Sequence, residues 1–599
     1  MGNLSLSSSR MRMLIAAVAV IFAAFGIRLV QIQAVEASSL SNRAMNEIMM
    51  TSTMPAPRGS ITDINGVEFA RSVSSVRVVV DQTLIQNPHV AAQIAAPILK
   101  LSVAQVQASI TGNKRWSKVV DLATPAQWRA LNSAFDSYNA SLTKAQNAER
   151  ILGFFAERVY SREYPSGSLI ASLVGFVNHD GVGATGLEYS KNSMISGVDG
   201  KYVYGNSPFR AKIPGSTQSL VAAQQGTSIR LTIDRDVQWV AAQAISKAVK
   251  NAHAISGTVI VLDPKTGAIL AHATAPTFDP NNTKNVSLRQ MANPSVQEVY
   301  EPGSTGKVIT MSAAIEEGKV TPETVFTVPY SLKVSNGKFS DHEKHATERL
   351  TTTGILAVSS NTGSIQVGAT LSHQTFYDYL RKFGIGSSTG SGLPGESAGQ
   401  LLKVENWSGT TAPTFAFGQG YNVTAMQATS VFATIANNGV RVSPTVIAGT
   451  SDASGHFTPA TTREEVRVIS ADTAAKMRLM LESVVSAQGT APGAAIPGYR
   501  VAGKTGTAQR HNDACNCYSG YTASFIGFAP ADAPKYVISV TIQGPQGIHW
   551  GGSLGGPVFK EVMSFVLQTR HVAPTRTLDV PYPLNEATLN KTPVKKLGA

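Results

Sequence analysis

Cysteine is almost missing from this chain of 599 residues: only Cys515 and Cys517 occur. No disulfide framework can hold such a fold, so buried apolar packing must. Charged residues are also sparse, at 15%, against 43% hydrophobic residues. That balance belongs to a globular chain and excludes a disordered one. Acidic residues are in deficit, 38 Asp and Glu against 51 Lys and Arg, for a net charge of +13. A basic exported surface can face acidic lipid or wall polymers, or the excess can be diffuse solvated charge. No basic run with interleaved aromatics is present, which removes the usual footprint of nucleic-acid binding. There is no internal repeat. At this length one core is too few, and two to four domains are expected.

What the chain does have begins with one long apolar run. Met13–Ile27 carries no charge; Arg28 interrupts it, and Leu29, Val30 and Ile32 extend it to about 20 residues, the length needed to span a bilayer. Arg28, near the far end, can snorkel. Arg10 and Arg12 precede the run, while Glu36, Arg43 and Glu47 follow it. The positive-inside rule then makes residues 1–12 a cytoplasmic tail and 13–33 a single transmembrane anchor, with the remainder extracytoplasmic. A cleaved signal peptide is the competing reading, with Val35-Glu36-Ala37 as the small-residue site. The run is long for a signal core, and Gln31 and Gln33 lie before that site, which favours an uncleaved anchor.

Past the anchor, Pro55 and Pro57 break any helix leaving the membrane. Asn65-Gly66 between short apolar stretches predicts a hairpin turn. Residues 89–150 turn helical, and Thr124-Pro125 starts one helix as N-cap and first-turn proline. A domain boundary is expected near Gln224-Gln225-Gly226. Beyond it, strands are expected over 228–233, 257–262, 268–273, 499–507, 521–528 and 536–542, with helices over 234–249 and 558–567. Five of these are expected to form one sheet: 257–262 and 268–273, ahead of the first chemistry-bearing motif, and the three from residue 499 on. Antiparallel neighbours need only short connections, and the helical stretch between must cover the sheet. This is an α+β pattern. Residues from about 573 on, with four prolines and scattered lysines, suggest a flexible tail.

Three strings carry the chemistry: Ser304-Thr305-Gly306-Lys307, Ser359-Ser360-Asn361 and Lys504-Thr505-Gly506-Thr507. Serine and lysine three apart share a helix face, which puts an amine within reach of the hydroxyl. A serine alcohol needs an adjacent base to become a nucleophile. Lysine can be that base when burial or nearby positive charge lowers its pKa, and Lys504 can supply the charge. Glu301-Pro302-Gly303 punctuates a helix start, so Ser304 is expected where backbone N–H groups favour an anion. Gly506 in an edge-like strand lets another backbone approach, as in strand addition.

Each string alone is weak, but S-x-x-K, S-x-N and K-T-G in this order form the penicillin-binding and serine β-lactamase signature. The chain therefore resembles the class B penicillin-binding proteins, with Ser360 where the signature has Asp. Arg58-Gly59, Ile61, Asp63, Asn65-Gly66, then Arg162 to Gly167 and Gly183 to Glu188 resemble that family's pedestal motifs, with Ile64 where the family usually has Arg. Phe417 to Thr424 resembles a segment packed behind the site. The resemblance implies a transpeptidase fold, an antiparallel five-stranded sheet covered by helices, in residues 226–572. It also implies an elongated N-terminal pedestal (dimerisation-like) domain in 34–225, with Glu188 structural rather than catalytic, and a tail in 573–599.

By the same resemblance, Ser304 is the nucleophile, Lys307 its base, and Ser359 and Lys504 complete the proton relay. Asn361, Thr505, Gly506 and Thr507 bind the substrate, and the N–H groups of Ser304 and Thr507 form the oxyanion hole. The activity implied is peptidoglycan D,D-transpeptidation of stem peptides ending in D-Ala-D-Ala. β-Lactams would be trapping mimics, and division proteins with a SEDS-type glycan polymerase would be partners. No metal or other cofactor is assigned. A septal role is preferred to an elongation role. A D,D-carboxypeptidase or β-lactamase would use the same acyl-enzyme, but Glu396 and Glu405 lack the context of a deacylating glutamate. A non-catalytic β-lactam-binding scaffold is disfavoured by the intact Ser304, Lys307, Asn361 and Lys504. His511, Asp513, Cys515 and Cys517 leave three readings open: a polar loop at the cleft rim, a strained disulfide, or a metal cluster.

Overall fold

The computed structural model describes residues 8–40, 49–205, 215–216, 219–461, 463–512, 515, 517–575 and 582–589. The apolar N-terminal run is helical, as Ser8–Val30, and continues as a π-helical turn over Gln31–Val35. Among the described residues, Ser8–Val35 is the one helix long and apolar enough to cross a membrane. Contacts divide the chain into two compact units.

The first unit comprises Met1–Pro57, Ser74–Tyr160 and Gly197–Gln225. Its core gathers Val78, Val80, Ala92, Val106, Leu131 and Phe135 beneath the helices Pro88–Leu99, Val103–Ile110 and Pro125–Ser141. The last of these starts where Thr124-Pro125 predicts. Thr124 Oγ1 accepts from Gln127 N at 3.1 Å, and Gln127 Oε1 accepts from Thr124 N at 2.8 Å. This reciprocal box satisfies two donors that a helix end leaves orphaned.

The second unit comprises Arg58–Val73, Ser161–Ser196 and Gly226–Ala599. Glu188 is fully buried in it between two guanidinium groups. Its Oε2 accepts from Arg58 Nη2 at 2.7 Å and its Oε1 from Arg162 Nε at 2.6 Å. Arg58 Nη1 also donates to Gly181 O and Asn192 Oδ1. Three segments far apart in sequence are thus pinned through one carboxylate, a structural role. Asn65-Gly66 makes the expected turn, and Ile61–Thr62 pairs antiparallel with the start of Glu68–Val80.

The centre of this unit is a five-stranded antiparallel sheet. Its strands are β1 (Ser256–Leu262), β2 (Ile269–Ala275), β3 (Ala502–Asn512), β4 (Cys517–Ala529) and β5 (Tyr536–Gln543), in the order β2-β1-β5-β4-β3. Every residue of β1 and β2 is buried. Complete burial without alternation means that both faces are covered. Helices α1 (Arg235–Asn251) and Gly551–Thr569 pack on one face, and Ala425–Ala436 and Ala471–Val485 on the other. β3 and β4 run several residues beyond their apolar stretches, because their hairpin projects past the covered part of the sheet. β3 is an edge strand, as expected, which leaves one side of Lys504–Thr507 unpaired by sheet hydrogen bonds.

Within the stretch expected as a flexible tail, residues 582–589 are docked. Thr351 N donates to Leu584 O at 3.1 Å, Thr351 Oγ1 donates to Pro583 O at 2.6 Å, and Arg349 forms a two-pronged pair with Glu586. Backbone pairing to Glu348–Thr351 outweighs the breaker residues that made this stretch read as loose.

Removing Glu188 leaves two desolvated guanidinium groups without their anion, a change that typically costs about 3–5 kcal/mol. Glu188→Ala is expected to lower the melting temperature by thermal denaturation far more than Glu157→Ala, whose ion pair with Arg77 is partly exposed.

Candidate active site

The segment leading to Ser304 is set by Gly303. Its φ is +55°, a left-handed conformation that favours glycine, and its N donates to Gly418 O at 2.8 Å. Gly303–Gly306 is a 3₁₀ turn that runs directly into α2 (Lys307–Glu316), a helix buried at nine of its ten residues. Strands Val299–Tyr300 and Val423–Thr424 pair behind it, so the Phe417–Thr424 segment does back the site.

Ser304 stands half-buried on that turn. Lys307, at the first position of α2, is fully buried. Its Nζ donates to Ser359 O at 2.5 Å, Asn361 Oδ1 at 2.8 Å and Ser359 Oγ at 3.2 Å. Lys504 enters from β3, also fully buried, and donates to the same Ser359 Oγ at 2.9 Å and to Thr505 O at 3.3 Å. One hydroxyl is therefore shared by two amines from opposite walls. The structure brings Lys307, Ser359, Asn361 and Lys504 into direct contact. It does not join Ser304 to Lys307: among the described residues the Ser304 hydroxyl has no hydrogen-bond partner. Three acceptors surround Lys307 Nζ, and Ser304 is not among them.

Burial governs the charge of both lysines. It pushes Lys307 down to about 7, against which the Asp341 carboxylate pulls upward. Lys504 is depressed well below the ordinary lysine range, first by burial and then by the neighbouring Lys307. Both lysines therefore give up a proton more readily than an exposed lysine does.

Ser359 itself is strained. Its φ is +63°, in the left-handed region that costs a residue with a side chain about 1–2 kcal/mol. The turn is held from behind. Ser360 is buried and caps α3 (Asn361–Gly368) by accepting from Gly363 N at 3.0 Å. Its hydroxyl donates to Asp341 Oδ2 at 2.6 Å. Asp341 Oδ1 accepts from Asn361 N at 2.5 Å and Thr362 N at 2.9 Å. Asn361 Nδ2 donates to Ser340 O. Asp341 is the residue that sequence reasoning missed. It lies in a polar stretch, Ser340 to His345, with no local pattern, and its partners come about twenty residues later.

On the other wall, Thr505 Oγ1 meets Thr490 Oγ1 at 2.8 Å, and Thr507 Oγ1 accepts from Gly551 N at 3.2 Å, at the first turn of α4 (Gly551–Thr569). The Thr507 hydroxyl therefore lies beside a helix N-terminus, a favourable place for an anionic group. Gly506 faces the serine turn. A Cβ there would lie 2.3 Å from Ser524 Oγ, 3.0 Å from Pro302 O and 3.1 Å from Thr305 Cγ2. Glycine is needed so that the turn and β3 can touch.

Cys515 and Cys517 are joined in a disulfide near the tip of the β3–β4 hairpin. With both sulfurs bonded, neither is a thiolate ligand, and no group of three or more potential metal ligands occurs among the described residues. Asp513 and the His511 side chain lie outside the described residues.

Comparison with known proteins agrees over nearly the whole chain. Residues 257–564 match the penicillin binding protein transpeptidase domain, and residues 53–231 the penicillin-binding protein dimerisation domain. The chain is 36% identical to the penicillin-binding protein PbpB of Mycolicibacterium smegmatis, over 91% of this chain and 88% of that one. It is 30% identical to the peptidoglycan D,D-transpeptidase FtsI of Escherichia coli, over 86% and 84% of the two chains. The crystal structure of penicillin binding protein 3 of Mycobacterium tuberculosis with aztreonam superposes with a TM-score of 0.69 and 32% identity, over 89% of this chain and all of that one.

A methyl group at Gly506 must push the Pro302–Thr305 turn off β3. Gly506→Ala is expected to slow covalent labelling by a fluorescent penicillin at least tenfold, equivalent to about 1.4 kcal/mol of barrier, with the circular dichroism spectrum unchanged.

Proposed function

The chain belongs to the class B penicillin-binding proteins, and from that footing we propose that it crosslinks peptidoglycan stem peptides through a Ser304 acyl-enzyme in septal wall synthesis. The observation that carries this reading is the Ser359 hydroxyl held between two buried lysines, 3.2 Å from Lys307 and 2.9 Å from Lys504. A hydroxyl flanked by two amines can take a proton from one side and give one to the other.

The steps follow from that arrangement. Neutral Lys307 takes the proton of Ser304, whose Oγ attacks the carbonyl carbon of the penultimate D-alanine. Resting enzymes often lack the productive hydrogen bond, which forms only with substrate. Here Lys307 must release one acceptor and turn its lone pair to Ser304. The tetrahedral oxyanion would be held by the N–H groups of Ser304 and Thr507. Gly303 lies against Thr507 and Ala508, which supports that pairing. As the C–N bond breaks, the proton passes from Lys307 through Ser359 to the departing D-alanine amine. A neighbouring stem-peptide amine then attacks the ester carbonyl, loses its proton along the same relay, and releases Ser304. Thr505 and Thr507 would bind the terminal carboxylate, Lys504 would supply positive field when protonated, and Asn361 would hold a substrate amide.

Hydrolytic alternatives are weakened by where the two glutamates lie. Glu396 is locked by Thr389 N and the Thr389 and Ser391 hydroxyls, and Glu405 is exposed beside Lys403. Neither is hydrogen-bonded into the serine site. The wider setting belongs to the same proposal: a cytoplasmic N-terminus, an extracytoplasmic catalytic domain, and a SEDS-type glycan polymerase with division proteins as partners. The homology to FtsI and the apolar Ser8–Val35 helix support it.

Ser304→Ala in the full chain is expected to abolish labelling by a fluorescent penicillin while the protein stays folded. Labelling at unchanged stoichiometry would overturn the nucleophile assignment. Because Lys307 must be neutral to act as base, the wild-type acylation rate should rise as pH increases through about 7. A flat profile from pH 5.5 to 8.5 would remove Lys307 from that role.

A further inference from the structure

The Ser359 turn cannot hold itself. Its left-handed φ of +63° is unfavourable for serine, yet its hydroxyl has to sit between two amines. The residues that follow are anchored to a single carboxylate. Asp341 accepts from Asn361 N, Thr362 N, Ser360 Oγ and, at 3.3 Å, Thr362 Oγ1. Its Oδ2 also meets His345 Nε2 at 3.0 Å, four residues on. Four of these contacts fix the chain just past Ser359, and the fifth fixes Asp341.

We propose that Asp341, backed by His345, is a positioning residue of the acyl-transfer site: it clamps Ser360–Thr362 so that Ser359 is held in its strained turn between Lys307 and Lys504. The assignment rests on the acyl-enzyme reading above. It deepens that reading, because Asp341 touches neither reacting atoms nor substrate and acts through the relay.

The clamp has an electrostatic consequence. The charged groups facing Lys307 are Asp341, which raises its affinity for a proton, and Lys504, the neighbouring cation site. Burial disfavours the protonated form of His345, but Ala346 O, Asp341 and Glu348 together outweigh it and raise its affinity for a proton. Removing the Asp341 charge should make Lys307 easier to deprotonate, so the acid limb of the rate profile moves to lower pH. Removing His345 leaves the Asp341 charge less compensated, so the limb moves to higher pH. A residue that merely stiffens the loop moves neither.

The experiment is the pH dependence of acylation by a fluorescent penicillin, measured on the full chain for wild type, Asp341→Asn and His345→Ala, with the folded fraction measured alongside. Asp341→Asn is expected to lower the plateau rate at least tenfold and to shift the midpoint downward. His345→Ala is expected to lower the plateau twofold to fivefold and to shift the midpoint upward. Midpoints unchanged in both, with losses that only track the folded fraction, would overturn the proposal. If Asp341→Asn fails to fold, the His345→Ala midpoint decides alone. Failure here, with wild type labelled and Ser304→Ala silent, would leave the acyl-enzyme reading standing.

Discussion

Two amines that share one hydroxyl in a dry cleft are the constraint around which the second unit is built. An isolated buried ammonium is among the most costly groups a fold can contain. Lys307 and Lys504 are both fully buried, and they sit on elements that are themselves fixed: a helix buried at nine positions and the edge strand of a sheet covered on both faces. The cost is met locally by acceptors on the Ser359–Asn361 turn and electrostatically by Asp341. Burial depresses both lysines, and Lys307 depresses Lys504 further.

The glycines serve the same geometry. Gly303 turns the chain into the serine segment, and Gly506 lets that segment lie on β3. Gly551 does the equivalent for α4, where a Cβ would lie 2.4 Å from Gly506 O. The serine turn, the edge strand and a helix N-terminus thus converge with no side chain between their backbones. The Thr507 hydroxyl ends up at the first turn of α4, and the Thr505 hydroxyl beside Lys504 Nζ.

Much of this was legible in the sequence, because the chemistry-bearing groups are packed into short strings. Ser304 to Lys307, Ser359 to Asn361 and Lys504 to Thr507 declare themselves by spacing, and the β-branched runs around residues 260 and 540 declare the sheet. Three things were not legible. Asp341 is invisible because its partners are brought to it by tertiary folding. The unformed bond between Ser304 and Lys307 is invisible because helical spacing predicts proximity, whereas three competing acceptors decide where an amine points. The docked residues 582–589 read as loose because prolines and lysines describe local preference, whereas the pairing to Glu348–Thr351 is remote.

That remote pairing bears on how the molecule is made. Thr351 caps the helix Thr352–Ala357, which delivers Ser359, and the same Thr351 hydroxyl donates to Pro583 O. Strands β3, β4 and β5 likewise arrive only after residue 500. During synthesis from the N-terminal end, the serine turn is produced long before the strand it must touch, and the strap across Thr351 comes later still. The turns that carry Ser304 and Ser359 must therefore wait for β3 before their contacts to it can form.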